Sequence, residues 1–183
     1  MDIKHHFEVA WNLCLANIVP LIILTLVTMA LSVVTLGILA PVAFAGYVWS
    51  LYQLLNTGRE PRAQDVLSQM RLFLPLALFT FLVFIITLIG FTLLIVPGII
   101  FSLAIGYTCF YMIPIMVDQK SGIVDAIKKS IAMMTRTNVV DHLIVFIIFT
   151  VLTAVGGSSF IGFIVLQPFA TLFYLSVYKD TVN

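Results

Sequence analysis

Histidine and aspartate are the side chains of this sequence whose chemistry could support catalysis or metal binding. His5 and His6 are neighbours near the start of the chain, and Asp141 directly precedes His142. Because two adjacent histidines on a helix point in different directions and no third ligand is near them in sequence, we expect no metal site. We expect His142 at a helix start rather than in a catalytic pair. An enzyme would need a cytoplasmic cleft built from Asp118, Asp125, Asp141 and His142.

The long apolar segments of the chain contain few groups that could act chemically. They hold no Asp, Glu, Lys or Arg and no H-E-x-x-H motif, which disfavours proton relays and intramembrane hydrolysis. Gln53 and Gln167 are the most polar residues well inside them, and each could contact a solute or form a hydrogen bond between helices. Cys14 and Cys109 are isolated and are expected to be free thiols. We therefore predict no catalytic residue, no cofactor and no metal.

The composition is typical of a membrane protein. Of the 183 residues, 62% are hydrophobic and only 9% are charged, and the mean hydropathy is +1.17. Soluble domains have about 25% charged residues. The formal net charge is +1 and no basic stripe is present, so we expect no binding of nucleic acid.

Three uncharged runs, residues 9–58, 72–117 and 142–178, separate four short charged clusters. Each run fits two membrane crossings of about 20 residues and a tight turn, but not three crossings. The predicted fold is therefore all-α, with six transmembrane helices arranged as three tandem hairpins. All nine Lys and Arg residues then lie on one side of the membrane. The positive-inside rule makes that side cytoplasmic, and both termini lie there.

A short amphipathic segment precedes each predicted hairpin and is expected to form an interfacial helix. These segments cover residues 2–16, the region from Ala63, and the region from Ser121. The second segment has Val66, Leu67 and Met70 on its apolar face and Asp65, Gln69 and Arg71 on its polar face. The three helices could brace the rim of the bundle, shield a lateral groove or dock a soluble partner.

The three helix-plus-hairpin units resemble one another at a spacing of about 60 residues. We interpret residues 1–183 as a single membrane domain with approximate repeat units 1–58, 59–118 and 119–183. The second arms of the hairpins end in tyrosine pairs: Tyr47 and Tyr52, Tyr107 and Tyr111, Tyr174 and Tyr178.

Small residues and prolines mark positions of close packing or bending. Gly98, Ser102 and Gly106 form a row on the predicted fourth helix, which could be an oligomer seam or a packing site within one bundle. Pro114 and Pro168 lie in second arms and are expected to kink them, with nearby Thr, Ser or packed helices satisfying the freed carbonyl groups.

The segment P-G-I-I…Y-M-I-P-I-M-V-D…S-G-I-V-D-A-I-K-K-S-I-A-M-M-T-R-T-N resembles a widespread prokaryotic family of six-helix membrane proteins. The family also resembles the membrane domain fused to some glycerophosphodiester phosphodiesterases. The matching positions are Pro97, Gly98, Pro114, Asp118, Gly122, Ala126, Ser130 and Asn138. The resemblance implies a six-helix fold in a prokaryotic cytoplasmic membrane, and it carries over no catalytic residue.

The absence of charged chemistry within the apolar runs favours a non-enzymatic inner-membrane protein with a membrane-organising or accessory-subunit role. The alternative is a transporter or channel for a neutral or lipidic solute, which the kinked arms and small-residue rows would allow. The expected partners are membrane lipids and either a second copy of the chain or another membrane protein.

Overall fold

Helices make up most of the part that the computed structural model describes, residues 2–93, 95–136 and 139–182, and those residues form no strand. The α-helices are α1 (Ile3–Ala16), α2 (Ile18–Val34), α3 (Ala40–Thr57), α4 (Phe73–Leu93), α5 (Ile95–Thr108), α6 (Met112–Asp118), α7 (Ile123–Arg136), α8 (Val139–Gly157) and α9 (Phe160–Val182). Two short 3₁₀-helices, Ala63–Leu67 and Met70–Leu72, connect α3 with α4. The predicted all-α class is confirmed.

Several helices could cross a membrane. Within the described ranges, four stretches are long and apolar enough: Ala63–Thr92, Gly98–Asp118, Val139–Gly157 and Phe160–Val182. A fifth span results if α1 and α2, which meet at an angle of 89°, are one bent span. These helices support a multi-pass membrane protein. Fewer than the predicted six helices, however, are long and apolar enough to span a membrane. The helix α3 falls outside this set, and it carries polar residues such as Ser50 and Gln53.

The core lies where α3, α6 and α9 meet. Tyr47 of α3, Tyr111 beside α6, and Phe173 and Tyr178 of α9 are among the largest fully buried side chains. The apolar stretch of α9 is 56% buried, compared with 17% for α8 and 11% for the stretch containing α4. The peripheral helices therefore present most of their apolar surface outwards, where lipid or another membrane protein would contact it.

Charged segments from different parts of the chain meet at one end of the bundle, which we call the charged end. Arg71 donates to the carbonyl of Met116 at 3.3 Å, and Lys179 Nζ lies 3.5 Å from the carbonyl of Leu55. His6 Nε2 lies 3.7 Å from Asp180. These contacts join the second 3₁₀-helix to the end of α6, the end of α9 to the end of α3, and the start of α1 to the end of α9.

Turn chemistry explains where α2 and α3 end. Leu36 and Gly37 have φ values of 51° and 84° in the turn between the two helices. Gly58, with φ 69°, caps the C-terminus of α3, which is the usual role of a left-handed glycine.

The second amphipathic segment differs from the prediction. It forms two 3₁₀-helices rather than an α-helix, and its polar residues Asp65 and Gln69 are buried while Leu67 and Met70 are about half exposed. The predicted faces therefore hold for Val66, which is buried, and for Arg71, which is exposed, but not for the other four residues. The 3₁₀ geometry has three residues per turn, so a face assignment based on 3.6 residues per turn does not hold.

The third amphipathic segment forms α7 as predicted. Ala126, Ser130 and Met134, at intervals of four residues, are fully buried, while Lys128 and Lys129 are exposed. This buried stripe faces α6 and the end of α5. The Ser130 hydroxyl forms hydrogen bonds to the backbone of Thr108 and Tyr111, between these two helices.

The row of small residues on α5 is used for packing within the chain. A Cβ added at Gly98 would lie 3.0 Å from the backbone of Gly90 on α4, and one at Gly106 would lie 3.6 Å from the ring of Phe146 on α8. The Ser102 hydroxyl donates to the Gly98 carbonyl at 2.8 Å. These contacts favour packing within one bundle over an oligomer seam.

Candidate functional site

A cavity of about 230 Å³ lies between α2, α3 and α9. Its wall includes the apolar side chains Met29, Phe44 and Phe163. The polar residues of the wall are Thr25, Thr28, Ser32, Tyr47 and Gln167. Among the residues that the structure describes, no charged side chain lines the cavity.

The hydroxyl groups of α2 in this cavity are bonded within their own helix. Thr25, Thr28 and Ser32 each donate to the carbonyl group four residues earlier, at 2.8 Å. Such bonds satisfy the hydroxyl proton and leave oxygen lone pairs available as acceptors. Tyr47 Oη lies 3.4 Å from Thr25 Oγ1, which links α3 to α2 at the inner end of the cavity.

Of the polar groups in the cavity wall, the side-chain amide of Gln167 is the one that forms no hydrogen bond within the described part of the chain. The residue is only 9% exposed, and its side chain has no hydrogen-bond partner in the part of the chain that the structure describes. In the described part of the chain, every side-chain nitrogen or oxygen atom that is fully enclosed has a hydrogen-bond partner. The amide therefore reaches the open space of the cavity and offers two N–H donors and one acceptor oxygen there.

The two glutamines singled out from the sequence do not come together. Gln53 is half-buried on α3, one turn before Thr57, whose hydroxyl donates to the Gln53 carbonyl at 2.8 Å. It is not part of the cavity wall. Gln167 lies near the opposite end of the bundle, one residue before Pro168, which is inside α9. Only Gln167 is thus placed to contact a solute in this cavity.

The tyrosines that end the second arms converge near the charged end. The rings of Tyr111 and Tyr178 are 5.9 Å apart, and those of Tyr52 and Tyr178 are 6.2 Å apart. Tyr178 donates to Asp118 at 3.0 Å, and Tyr111 Oη lies 3.1 Å from His142 Nδ1. These contacts give Asp118 and His142 roles in holding α6, α8 and α9 together.

The predicted absence of a metal site stays a prediction, but the histidines are now placed. In the described ranges, no three His, Cys, Asp or Glu residues are grouped so that they could hold a metal ion. His5 is exposed whereas His6 is buried, with its Nδ1 2.9 Å from Ser176 Oγ. Burial lowers the pKa of the His6 side chain, and Asp180 opposes this effect. His6 thus docks α1 onto α9.

Two positions of the family-like motif, Ser130 and Pro114, are associated with the interruption between α5 and α6. The sequence predicts a kink at Pro114 in the second arm of the middle hairpin; in the structure, α5 ends at Thr108 and α6 begins at Met112. Pro114 lacks an N–H and its ring clashes with the carbonyl four residues earlier, so the helix cannot run through unchanged. The Ser130 hydroxyl donates to the Thr108 carbonyl at 2.7 Å and accepts from the Tyr111 N–H at 3.1 Å.

The remaining motif positions have mixed placements. Ala126 is fully buried, and a Cβ added at Gly122 would have open space around it. The backbone of Pro97 is part of α5, but its side chain and the whole of Asn138 lie outside the described residues.

Sequence reasoning missed a buried carboxylate at Asp65. Its oxygens accept hydrogen bonds from Ser50 at 2.8 Å, from Arg59 at 2.7 Å and from the N–H of Arg62 at 3.1 Å. A Cβ at Gly46, one turn before Ser50, would collide with the Val66 carbonyl. The pair of small residues four apart on α3 was the available signal, because such pairs allow close backbone approach.

The cavity also had a signal in the sequence. Thr25, Thr28 and Ser32 follow at intervals of three and four residues, so they share one face of α2.

Searches of protein-family models, of curated proteins and of solved structures find no match for this chain. The resemblance to the six-helix membrane family therefore stays a prediction.

Proposed function

We propose that this chain is a non-enzymatic integral protein of a prokaryotic cytoplasmic membrane that acts as an accessory or membrane-organising subunit. In this proposal α2 and α3 form the first hairpin, α4 with α5 and α6 the second, and α8 with α9 the third, with both termini in the cytoplasm. The α1 and α7 helices and the 3₁₀ segment then lie at the interface. The packing of α2 against α3 through Thr25 and Tyr47 supports the first hairpin.

The observation that carries the accessory role is the exposure of α4. Leu72, directly before this helix, and Leu76 in its first turn are buried, but Phe81, Phe84 and Leu88 further along are more than half exposed. Helices in a membrane associate through close packing, and an apolar helix with so little of its surface packed has gained little of that stabilisation. We infer that α4 contacts a neighbouring membrane protein.

Photo-crosslinking tests this role. A photoreactive phenylalanine analogue replaces Phe84 on α4, and the same analogue replaces Val151 on α8 as the matched control, because both side chains are more than half exposed. We expect a discrete protein adduct from position 84 in native membranes and mainly lipid adducts from position 151. An adduct of twice the chain mass identifies a second copy as the partner. Lipid adducts alone at both positions would refute the accessory role.

Transport of a neutral solute is the second candidate, and the uncharged cavity at Gln167 is the observation that favours it. Reconstitution in proteoliposomes tests this alternative. Substrate-specific flux that is lost in Gln167→Leu and retained in Gln53→Leu would establish transport and displace the accessory role.

A further inference from the structure

We propose that the cavity between α2, α3 and α9 binds the uncharged polar end of a neutral lipid, with the Gln167 amide hydrogen-bonding to a hydroxyl or ester group of that lipid. This site is independent of the partner surface proposed on α4, because the two lie on different helices. It assigns a ligand class to the cavity, whether or not the chain has a protein partner.

The first argument is the depth of the site. Gln167 lies seven residues after Phe160, the first residue of α9, which corresponds to about 10 Å along the helix axis. Ser32 is two residues from the end of α2, and Ala40 is the first residue of α3. The cavity is therefore in the half of the bundle away from the charged end. In a hydrocarbon core of about 30 Å, a group at this depth meets lipid rather than bulk water.

The second argument is the chemistry of the wall. The amide of Gln167 can donate to an ester carbonyl and accept from a hydroxyl group, and the Tyr47 and Thr25 oxygens lie at the inner end. Phe44, Phe163 and Met29 supply apolar contacts for the hydrocarbon part. A phosphate would have no cation to pair with here, and burying an unpaired charge is strongly unfavourable. The ligand is therefore neutral.

The third argument is size. Drug-sized ligands occupy pockets of about 300–1,000 Å³, whereas an engineered apolar cavity of about 150 Å³ in another protein binds benzene. At about 230 Å³, this cavity accommodates the polar end and the first carbons of one lipid chain, with the remaining chain leaving towards the bilayer.

Binding of 1,2-dioctanoylglycerol to the purified full-length chain, delipidated in mild detergent and followed by native mass spectrometry, tests the proposal. We expect one molecule per wild-type chain and about tenfold weaker binding in Gln167→Leu, which removes the donor and acceptor at similar volume. The matched control is Gln53→Leu, the same change outside the cavity, and its affinity should stay within about twofold. A second variant, Ala40→Leu, should weaken binding by narrowing the cavity.

Dioctanoyl phosphatidylglycerol serves as the charged comparison lipid. Its binding should be the same in the wild type and in Gln167→Leu, because it does not enter the cavity. The proposal is overturned if the wild type binds no dioctanoylglycerol, which would leave only water at Gln167. It is also overturned if Gln53→Leu weakens binding as much as Gln167→Leu, or if the charged lipid responds equally to the Gln167 substitution. Thermal unfolding of each variant confirms that it is folded.

Discussion

The Ser130 hydroxyl closes the break between α5 and α6, and its removal has a cost that can be worked out from the structure. The Ser130 side chain is fully buried, and it bonds to the Tyr111 N–H and the Thr108 carbonyl. Ser130→Ala leaves both backbone groups without this partner. An unsatisfied buried polar group costs about 1–3 kcal/mol. For two such groups, we expect Ser130→Ala to lower the free energy of unfolding by about 2–6 kcal/mol.

This cost should depend on Pro114, because the proline prevents the helix from continuing. Pro114→Ala supplies the missing N–H and removes the clash with the Phe110 carbonyl. A continuous helix would then pair the Tyr111 N–H with the Tyr107 carbonyl, and the Ser130 hydroxyl would matter less. In a double-mutant cycle, we expect Ser130→Ala to cost at least about 1 kcal/mol less in the Pro114→Ala background.

Equilibrium unfolding in mixed micelles of mild detergent and sodium dodecyl sulfate measures these differences. Labelling of Cys109, a free thiol within the break, reports local opening in the same samples. Ser158→Ala is the control, because its hydroxyl is exposed and bonds within its own turn, to the Val155 carbonyl at 2.7 Å. Its cost should be below about 0.5 kcal/mol. An equal cost for the two serine substitutions, or an unchanged cost beside Pro114→Ala, would refute the reasoning.

Two further predictions concern the 3₁₀ segment and the topology. Gly46→Ala should lower the free energy of unfolding by about 1–3 kcal/mol, because its Cβ would collide with the Val66 carbonyl and push the segment off α3; thermal unfolding in detergent measures the loss. Cysteines placed at Arg62 and Lys128, both exposed in the structure, should react with a membrane-impermeant maleimide from the same side of the membrane.

Each of these has an internal control. A Cβ at Gly157 would have open space around it, so Gly157→Ala should change the free energy of unfolding by less than about 0.5 kcal/mol. If it costs as much as Gly46→Ala, close approach is not the cause. Ser158→Cys, in the turn between α8 and α9, should react from the opposite side to Arg62 and Lys128. Reaction of Arg62→Cys and Lys128→Cys from opposite sides would contradict the hairpin topology.

Local signals account for what could be predicted about the fold. Hydropathy runs and turn residues such as Gly37 and Gly58 act within a few residues, so helix class and the turns around α3 follow from the sequence. The site was less accessible. Gln167 was singled out by its polarity, but the sequence did not distinguish it from Gln53, since both are isolated amides in apolar helices.

The sequence by itself determined that this chain is helical, apolar over long stretches and charged only in short clusters, because composition and periodicity depend on neighbouring residues alone. Only the tertiary structure decided which polar groups are satisfied. Asp65 is buried because Ser50 and Arg59 reach it, and Gln167 faces a cavity because α2, α3 and α9 leave space beside it. Such outcomes depend on side chains far apart in the chain, whose contacts form only when the helices pack.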